Sequence, residues 1–100
     1  MAKRDKAQIE ENATRIVNWL SRNPAEFEGN GVSEDSLTGP AGLSGLDDTE
    51  TALDLLENRE VVVREPDKMT TPHRILVKPG RIWPQTRDDA LKSQPASQSN

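Results

Sequence analysis

Two short segments rich in β-branched residues decide the fold: Glu60-Val61-Val62-Val63-Arg64-Glu65 and His73-Arg74-Ile75-Leu76-Val77-Lys78. The first is followed by Pro66 and the second by Pro79-Gly80, so turn residues bound both runs. This pattern predicts two β-strands. The residues between them, 66–72, are too many for a tight two-residue turn, so we expect an antiparallel hairpin with a long tip.

The alternation of side chains along a strand predicts which residues share a face of the hairpin. Val61 and Val63 would share one face of the first strand, and Ile75 and Val77 would share one face of the second. The sequence then predicts one opposite face that carries Arg64, Arg74, Val62 and Leu76.

Three helices are predicted before the hairpin. Apolar residues recur at helical spacing from about residue 7 to residue 22, and Asn23-Pro24 ends this first helix. Residues 24–32 are predicted to be a connection, in which Phe27 or Val32 could add a short edge strand. Ser33 is the expected N-cap of a short second helix, which Gly39-Pro40 ends.

The third helix is predicted from Asp47 or Asp48 to about Asn58. Asp47 is the expected N-cap, Glu50 lies at the capping-box position, and Leu46 is the expected hydrophobic staple. From Pro84 onward the chain is polar and has no pattern that could bury itself. We therefore expect a flexible N-terminus over residues 1–6, one domain over residues 7–83 and a disordered tail over residues 84–100.

Charge divides the chain into two parts of opposite sign. Residues 1–58 carry five Lys and Arg against twelve Asp and Glu, a net charge of −7. Residues 59–87 carry seven Lys and Arg against three Asp and Glu, a net charge of +4. A basic hairpin that projects from an acidic helical body is therefore expected.

Composition argues against several classes of protein. The chain has no cysteine and one histidine, His73, so a thiolate or His-rich metal site is not expected, and neither is a cofactor. The carboxylates cluster at predicted helix starts, where the helix dipole favours them, so we do not expect an enzyme. No apolar run is long enough to span a membrane, and no signal peptide is evident. We expect a cytoplasmic protein that is a monomer or a weak homodimer.

The order of these elements resembles the winged helix-turn-helix family. The resemblance rests on three stretches within residues 9–78: Ala13–Leu20 of the first helix, Gly42-Leu43-Ser44 before the third, and Ala52–Glu57 leading into Val61-Val62-Val63-Arg64. It is similar in detail to the C-terminal winged modules of primase- and helicase-like replication proteins of phages and integrative elements. The resemblance implies an α+β fold in which three helices precede a two-stranded antiparallel wing.

The same resemblance implies DNA binding, in transcription regulation or mobile-element replication. The third helix would enter the major groove and the wing would follow the backbone. Because the third helix is acidic, we expect the wing to make the main contacts, which would be weak and salt-dependent. The predicted contact residues are Arg59, Arg64, Lys68, Thr70, Thr71, His73, Arg74, Lys78 and Arg81.

An alternative hypothesis is a protein-interaction module that keeps the fold without the DNA role. The acidic helical face would bind a basic protein partner, and a narrower variant would imitate DNA to occupy a nucleic-acid-binding enzyme. The residues predicted for this face are Asp47, Asp48, Glu50, Asp54 and Glu57.

Overall fold

A computed structural model describes residues 6–67, 69 and 74–93. Within these residues the chain forms five helices and one three-stranded antiparallel sheet. The predicted α+β class is confirmed. The two additional helices and the third strand lie in segments for which the sequence predicted a connection or a tail.

The first helix, α1, spans Lys6–Arg22, within one residue of its predicted start. Its buried face includes Ala13, Ile16 and Leu20, as the apolar spacing predicts. At its end, the side-chain amide of Asn23 donates a hydrogen bond to the backbone oxygen of Trp19 at 2.9 Å. This bond satisfies one of the carbonyl groups that a helix terminus leaves without a partner.

The predicted connection over residues 24–32 is wrong in its first half. Pro24–Glu28 form a short helix, α2, with the proline at its start. Proline suits this position because the first turn of a helix does not use its backbone N–H groups. The helix buries Phe27 completely. Val32–Ser33 then form β1, which confirms that Val32 contributes a short edge strand.

The second predicted helix is α3, which spans Glu34–Thr38. Its predicted N-cap is confirmed, because the Ser33 hydroxyl accepts a hydrogen bond from the backbone N–H of Ser36 at 3.2 Å. Glu34 follows directly and is 8% exposed. The helix that Ser33 caps therefore begins with a carboxylate, Glu34, that is buried in the protein.

The third predicted helix is α4, which spans Leu46–Asn58. It begins earlier than expected, with Gly45 as its N-cap and no side-chain capping bond. The predicted roles of Asp47 as the cap and of Leu46 as the staple are therefore wrong. Leu46 is instead a helical residue that is 39% exposed, and Asp47 lies in the first turn, where the helix dipole favours a carboxylate.

Glu60 and Val61 form the turn that ends α4 instead of the predicted start of a strand. Glu60 takes the left-handed conformation with a φ of 64°. Its N–H donates to the backbone oxygen of Glu57 at 3.0 Å, and the N–H of Val61 donates to that of Leu56 at 2.9 Å. This pair of bonds is the Schellman motif, so the strand can begin only after Val61.

The hairpin consists of β2, Val62–Asp67, and β3, Arg74–Pro79, which pair antiparallel as predicted. The sheet order is β1-β3-β2, so β3 is the central strand. Gly80 closes the base of the hairpin, where its N–H donates to the backbone oxygen of Val61 at 2.9 Å. A Cβ at Gly80 would lie 2.4 Å from the backbone oxygen of Glu60, so this approach requires glycine.

The predicted disorder from residue 84 is wrong for residues 84–93, because Trp83–Ser93 form the helix α5. Trp83 is 2% exposed and meets the ring of Phe27 edge to face, with the centroids 4.7 Å apart. Its indole N–H donates to Glu28 Oε2 at 2.6 Å. The predicted tail beyond residue 93 and the predicted N-terminal segment before residue 6 lie outside the described residues.

One core joins these elements. The sheet contributes Val32, Val62 and Val77, and the helices pack against that side of it. The helical residues of the core are Ala13, Ile16, Leu20, Phe27, Leu37, Ala52, Leu53, Leu56 and Trp83. The hairpin is therefore fixed at its base by the same core that holds α3 and α4.

Candidate functional site

Arg64 joins the hairpin to two helices. Its Nη1 donates to Glu34 Oε2 on α3 at 3.3 Å, and its Nη2 donates to Asp54 Oδ1 on α4 at 2.5 Å. The same guanidinium also donates to Glu57 Oε1 from Nε at 3.0 Å and from Nη2 at 2.8 Å. We call this group of four residues the Arg64 bridge.

The register of the hairpin accounts for this placement. Arg64 pairs with Val77 across the strands, and Val62 pairs with Pro79. Partners in an antiparallel pair share a face, so Arg64 lies on the core side with Val62 and Val77. The prediction that Arg64 and Arg74 share a face is wrong, because Arg74 pairs with Asp67 on the opposite face.

Burial and charge oppose each other within the Arg64 bridge. Burial raises the pKa of Glu34 above its ordinary value of 4.5, although the hydrogen bond from Arg64 acts in the other direction. Burial alone would lower the pKa of Arg64, but the hydrogen bonds to Glu57, Asp54 and Glu34 outweigh it and raise that pKa. The guanidinium therefore stays charged, and Glu34 depends on it for compensation of its own buried charge.

The other predicted hairpin cations also meet carboxylates of this chain. Arg59 donates to both oxygens of Glu10, at 3.0 and 2.6 Å, and Lys78 Nζ lies 2.9 Å from Glu65 Oε1. Arg81 forms an ion pair with Glu60. Arg74 is exposed and lies opposite Asp67. The structure thus brings the described members of the predicted site together with acids, while Lys68, Thr70, Thr71 and His73 lie outside the described residues.

These ion pairs differ in how firmly they hold their cations. The side chains of Arg59 and Arg81 are 47% and 73% exposed, and exposed pairs of this kind contribute little to stability because solvent screens them. A phosphate group could replace such a carboxylate at little cost. Arg64 is different, because its side chain is 20% exposed and three carboxylates hold it.

The acidic residues of α4 form a line along its outer surface. Asp47, Glu50, Asp54 and Glu57 are spaced at i, i+3, i+7 and i+10, which places them within one face of a helix. With a rise of about 1.5 Å per residue, this acidic stripe is about 15 Å long. Asp48, the fifth predicted residue, is half-buried and lies about 100° around the helix from Asp47.

Arg64 lies at the C-terminal end of the acidic stripe and neutralises only part of it. Asp54 and Glu57 remain 65% and 40% exposed at their side chains while they accept from Arg64. A carboxylate has about four acceptor sites, so both residues can accept further hydrogen bonds from outside. Asp47 and Glu50 are exposed at the other end.

Glu34 is the member of this site that the sequence did not identify. Its position after Ser33 predicts a first-turn residue of α3 and nothing more. Its burial depends on the packing of α3 against β3 and α4, and its partner is 30 residues away in the chain. The nearest sequence signal is the carboxylate itself, which would have to be compensated once buried.

A cleft of about 400 Å³ lies between α1, the end of α4 and α5. Its floor is formed by small and apolar side chains that include Ala13, Val17, Leu56 and Ala90. The ion pair between Glu10 and Arg59 lies at its rim, and this bond from Arg59 lowers the pKa of Glu10. The cleft and the acidic stripe are separate features.

Neither a metal-binding cluster nor a membrane-spanning helix is found in the described part of the chain. In residues 6–67, 69 and 74–93, no set of three or more acidic or imidazole side chains is arranged to hold a metal ion. None of the helices described has both the length and the apolar character that crossing a membrane requires.

Comparisons of the chain with protein-family models, curated proteins and solved structures found no match.

Proposed function

We propose that this protein is an interaction module that binds a basic protein partner through the acidic stripe of α4. The observation that carries the proposal is the imbalance of charge at the Arg64 bridge. Three carboxylates surround one guanidinium, and Asp47 and Glu50 extend the negative surface along the helix. A cationic partner would complete this surface by charge complementarity.

The proposed module has the winged-helix architecture. In support, α1, β1, α3, α4, β2 and β3 follow one another in the order of that fold, and the sheet order is β1-β3-β2. On this proposal α2 and α5 are additions to the common core, and α4 takes the place of the helix that enters DNA in the family.

Neighbouring carboxylates of the acidic stripe repel one another along the helix, which supports a role in binding. Like charges at i, i+3 and i, i+4 destabilise a helix by about 0.2–0.5 kcal/mol per pair. Glu57 also lies near the C-terminus of α4, where the dipole disfavours an anion, and the last turn contains no basic residue. Local rules of this kind are broken most often where a surface has a function.

The stripe also opposes the insertion of α4 into a DNA groove. Among the base edges of the major groove, a carboxylate can accept hydrogen bonds only from the amino groups of cytosine N4 and adenine N6, and it repels the phosphates. A protein surface rich in Arg and Lys instead presents positive charges and hydrogen-bond donors, which suit the carboxylates of the acidic stripe. The geometry therefore favours a basic protein over DNA at α4.

A nuclear magnetic resonance titration tests the proposal. The probe is a 15-residue peptide rich in Arg and Lys, and we expect shift changes at residues 46–58 that disappear in the variant Asp47→Lys with Glu50→Lys. The matched control is Glu26→Lys with Asp88→Lys, which makes the same change in charge at exposed residues elsewhere. Equal loss of binding in the control, or shifts away from α4, would contradict the proposal.

A second candidate function is DNA binding through the hairpin, and the strand order named above favours it. The exposed ion pairs of Arg59 and Arg81 are weak enough to exchange for phosphates, and the half-buried Lys78 lies on the same hairpin. The same titration with a mixed-sequence duplex at about 50 mM salt distinguishes the two, because hairpin binding weakens steeply with salt. Shift changes confined to residues 59–67 and 74–81 would support DNA, and charge reversal at Arg74 and Lys78 should then remove them.

A further inference from the structure

A guanidinium of this chain already lies where the proposed partner would place its own. Arg64 contacts Asp54 and Glu57, which are half of the acidic stripe, at 2.5 and 2.8 Å. The planar guanidinium group offers five N–H donors, and here it donates to three carboxylates at once. A partner arginine would seek the same oxygen atoms.

We infer that Arg64 is an intramolecular competitor that holds the acidic stripe in a partly occupied, low-affinity state. This inference rests on the proposed function of the stripe. A basic partner would take Asp54 and Glu57 from Arg64, and the hairpin would lose its bond to α4 at the same moment. Partner binding and the position of the hairpin are then two ends of one equilibrium.

The size of the effect follows from how often Arg64 leaves its site. A competitor on the same chain acts at a high effective concentration, so the stripe is occupied most of the time. If the open form makes up about 1–10% of the molecules, the apparent affinity for a partner falls by about 10- to 100-fold. Removal of the competitor should restore this factor.

Glu34 stabilises the arrangement in which Arg64 contacts the acidic stripe. It is 8% exposed and lies on α3, outside the stripe, so it accepts from Arg64 without presenting its charge to a partner. If Arg64 leaves, Glu34 is left as a buried charge without compensation, which disfavours the open form. Weakening this one contact should therefore favour release.

Substitutions of Arg64 and of Glu34 allow a test in which simple electrostatics and competition predict different results. The probe is a fluorescently labelled Arg-rich peptide of 15 residues, and its dissociation constant is measured by anisotropy. Arg64→Gln removes one positive charge and the competitor, whereas Arg59→Gln removes one positive charge at a pair with Glu10, away from the stripe. We expect Arg64→Gln to bind about 10-fold or more tightly than Arg59→Gln.

For Glu34→Gln, simple electrostatics and competition predict changes in peptide affinity of opposite sign. It makes the protein less negative, so electrostatics alone would weaken binding of a cationic peptide, but competition predicts tighter binding than in the wild type. This variant retains arginine at position 64, so it still provides a test if circular dichroism shows that Arg64→Gln does not fold. Hydrogen exchange of the β2 and β3 amides should speed up when the peptide binds the wild-type protein.

The outcomes separate the inference from the proposed function. Equal affinities of Arg64→Gln and Arg59→Gln together with weaker binding by Glu34→Gln would overturn the inference, while binding that depends on Asp47 and Glu50 would leave the proposed function standing. No binding by the wild type or any variant would overturn both. Binding by Arg64→Gln alone would support the inference in its strongest form.

Discussion

Truncation of Trp83 to alanine should destabilise the whole domain. Trp83 lies at the start of α5 and is 2% exposed. It contacts the ring of Phe27 edge to face, and its indole N–H donates to Glu28 at 2.6 Å. The residue thus attaches α5 to α2 by an aromatic contact and by a hydrogen bond to a charged group.

The expected loss is about 3–5 kcal/mol, the usual cost of replacing a buried Trp or Phe by Ala. The hydrogen bond to a carboxylate accounts for about 1.5–3 kcal/mol of this sum. Because a domain of this size has a total stability of about 5–15 kcal/mol, the variant would retain only a fraction of it. With a urea dependence of about 1.5 kcal/mol per molar, the unfolding midpoint should fall by about 2–3 M.

Urea unfolding followed by circular dichroism measures the loss. The matched control is Trp83→Phe, which keeps an aromatic ring beside Phe27 and removes the indole N–H. We expect this variant to lose about 1.5–3 kcal/mol, the share of the hydrogen bond to the carboxylate, so the two substitutions separate packing from hydrogen bonding. Losses below about 1 kcal/mol in both variants would refute the placement of Trp83 and α5 in the core.

Three other substitutions probe particular positions. Gly80→Ala should destabilise the protein by several kcal/mol because its Cβ would meet the backbone of Glu60. Gly39 has open space around it and a helical backbone, so Gly39→Ala should be neutral or stabilising by about 0.4–1 kcal/mol. Thermal unfolding compares the two variants, and equal effects would contradict the close approach at Gly80. Asn12→Leu should raise the free energy of unfolding by about 1 kcal/mol in urea titrations, because Asn12 is 3% exposed and its buried Nδ2 has no hydrogen-bond partner among the described residues; a loss of stability would refute this account. Glu34 and Glu10 should give opposite pH dependences when each wild-type stability is compared with that of its Gln variant between about pH 3 and pH 7. Burial raises the pKa of Glu34, so the wild type should lose stability relative to Glu34→Gln as pH rises from the ordinary pKa of 4.5 towards the raised one. The bond from Arg59 lowers the pKa of Glu10, so the wild type should lose stability relative to Glu10→Gln as pH falls through the lowered pKa; slopes of the same sign would be inconsistent with the described contacts.

The sequence predicted the elements whose signals are local. The apolar spacing of α1 and the Ser33 cap of α3 each involve residues within a few positions of one another, and both are confirmed. The two strands of the hairpin were found for the same reason, since β-branched runs bounded by Pro and Gly need no distant contact to be recognised.

Errors arose where one local signal outweighed another. The polar composition after Pro84 predicted a tail, although Trp83, Thr86 and Ala90 are spaced at i, i+3 and i+7 on one face of α5. The β-branched side chain of Val61 predicts a strand residue, but its N–H group donates to Leu56 in the Schellman motif that ends α4. In both segments packing against the rest of the fold decided between two possible structures.

The candidate site was predicted in part. All five acidic residues named from the sequence lie on α4, and four of them share one face, because helical spacing determines this directly. The charge of the hairpin was also evident from composition. The carboxylates that pair with the hairpin cations were not evident from composition. Because these cations are paired, the geometry favours a different function from the one that the sequence predicts.

The sequence alone determined the sign of the charge on each element and the presence of the helices α1, α3 and α4 and of the hairpin, because composition and short-range periodicity are properties of neighbouring residues. No local signal predicts that Arg64 faces the core side and contacts Glu34, Asp54 and Glu57, because these contacts exist only in the folded protein. That arrangement depends on strand register, where a shift of one residue would turn every side chain to the other face. Register is set by the packing of Val62 and Val77 against the helices, and this long-range contact brings Arg64 to Glu34, a carboxylate 30 residues away in the chain.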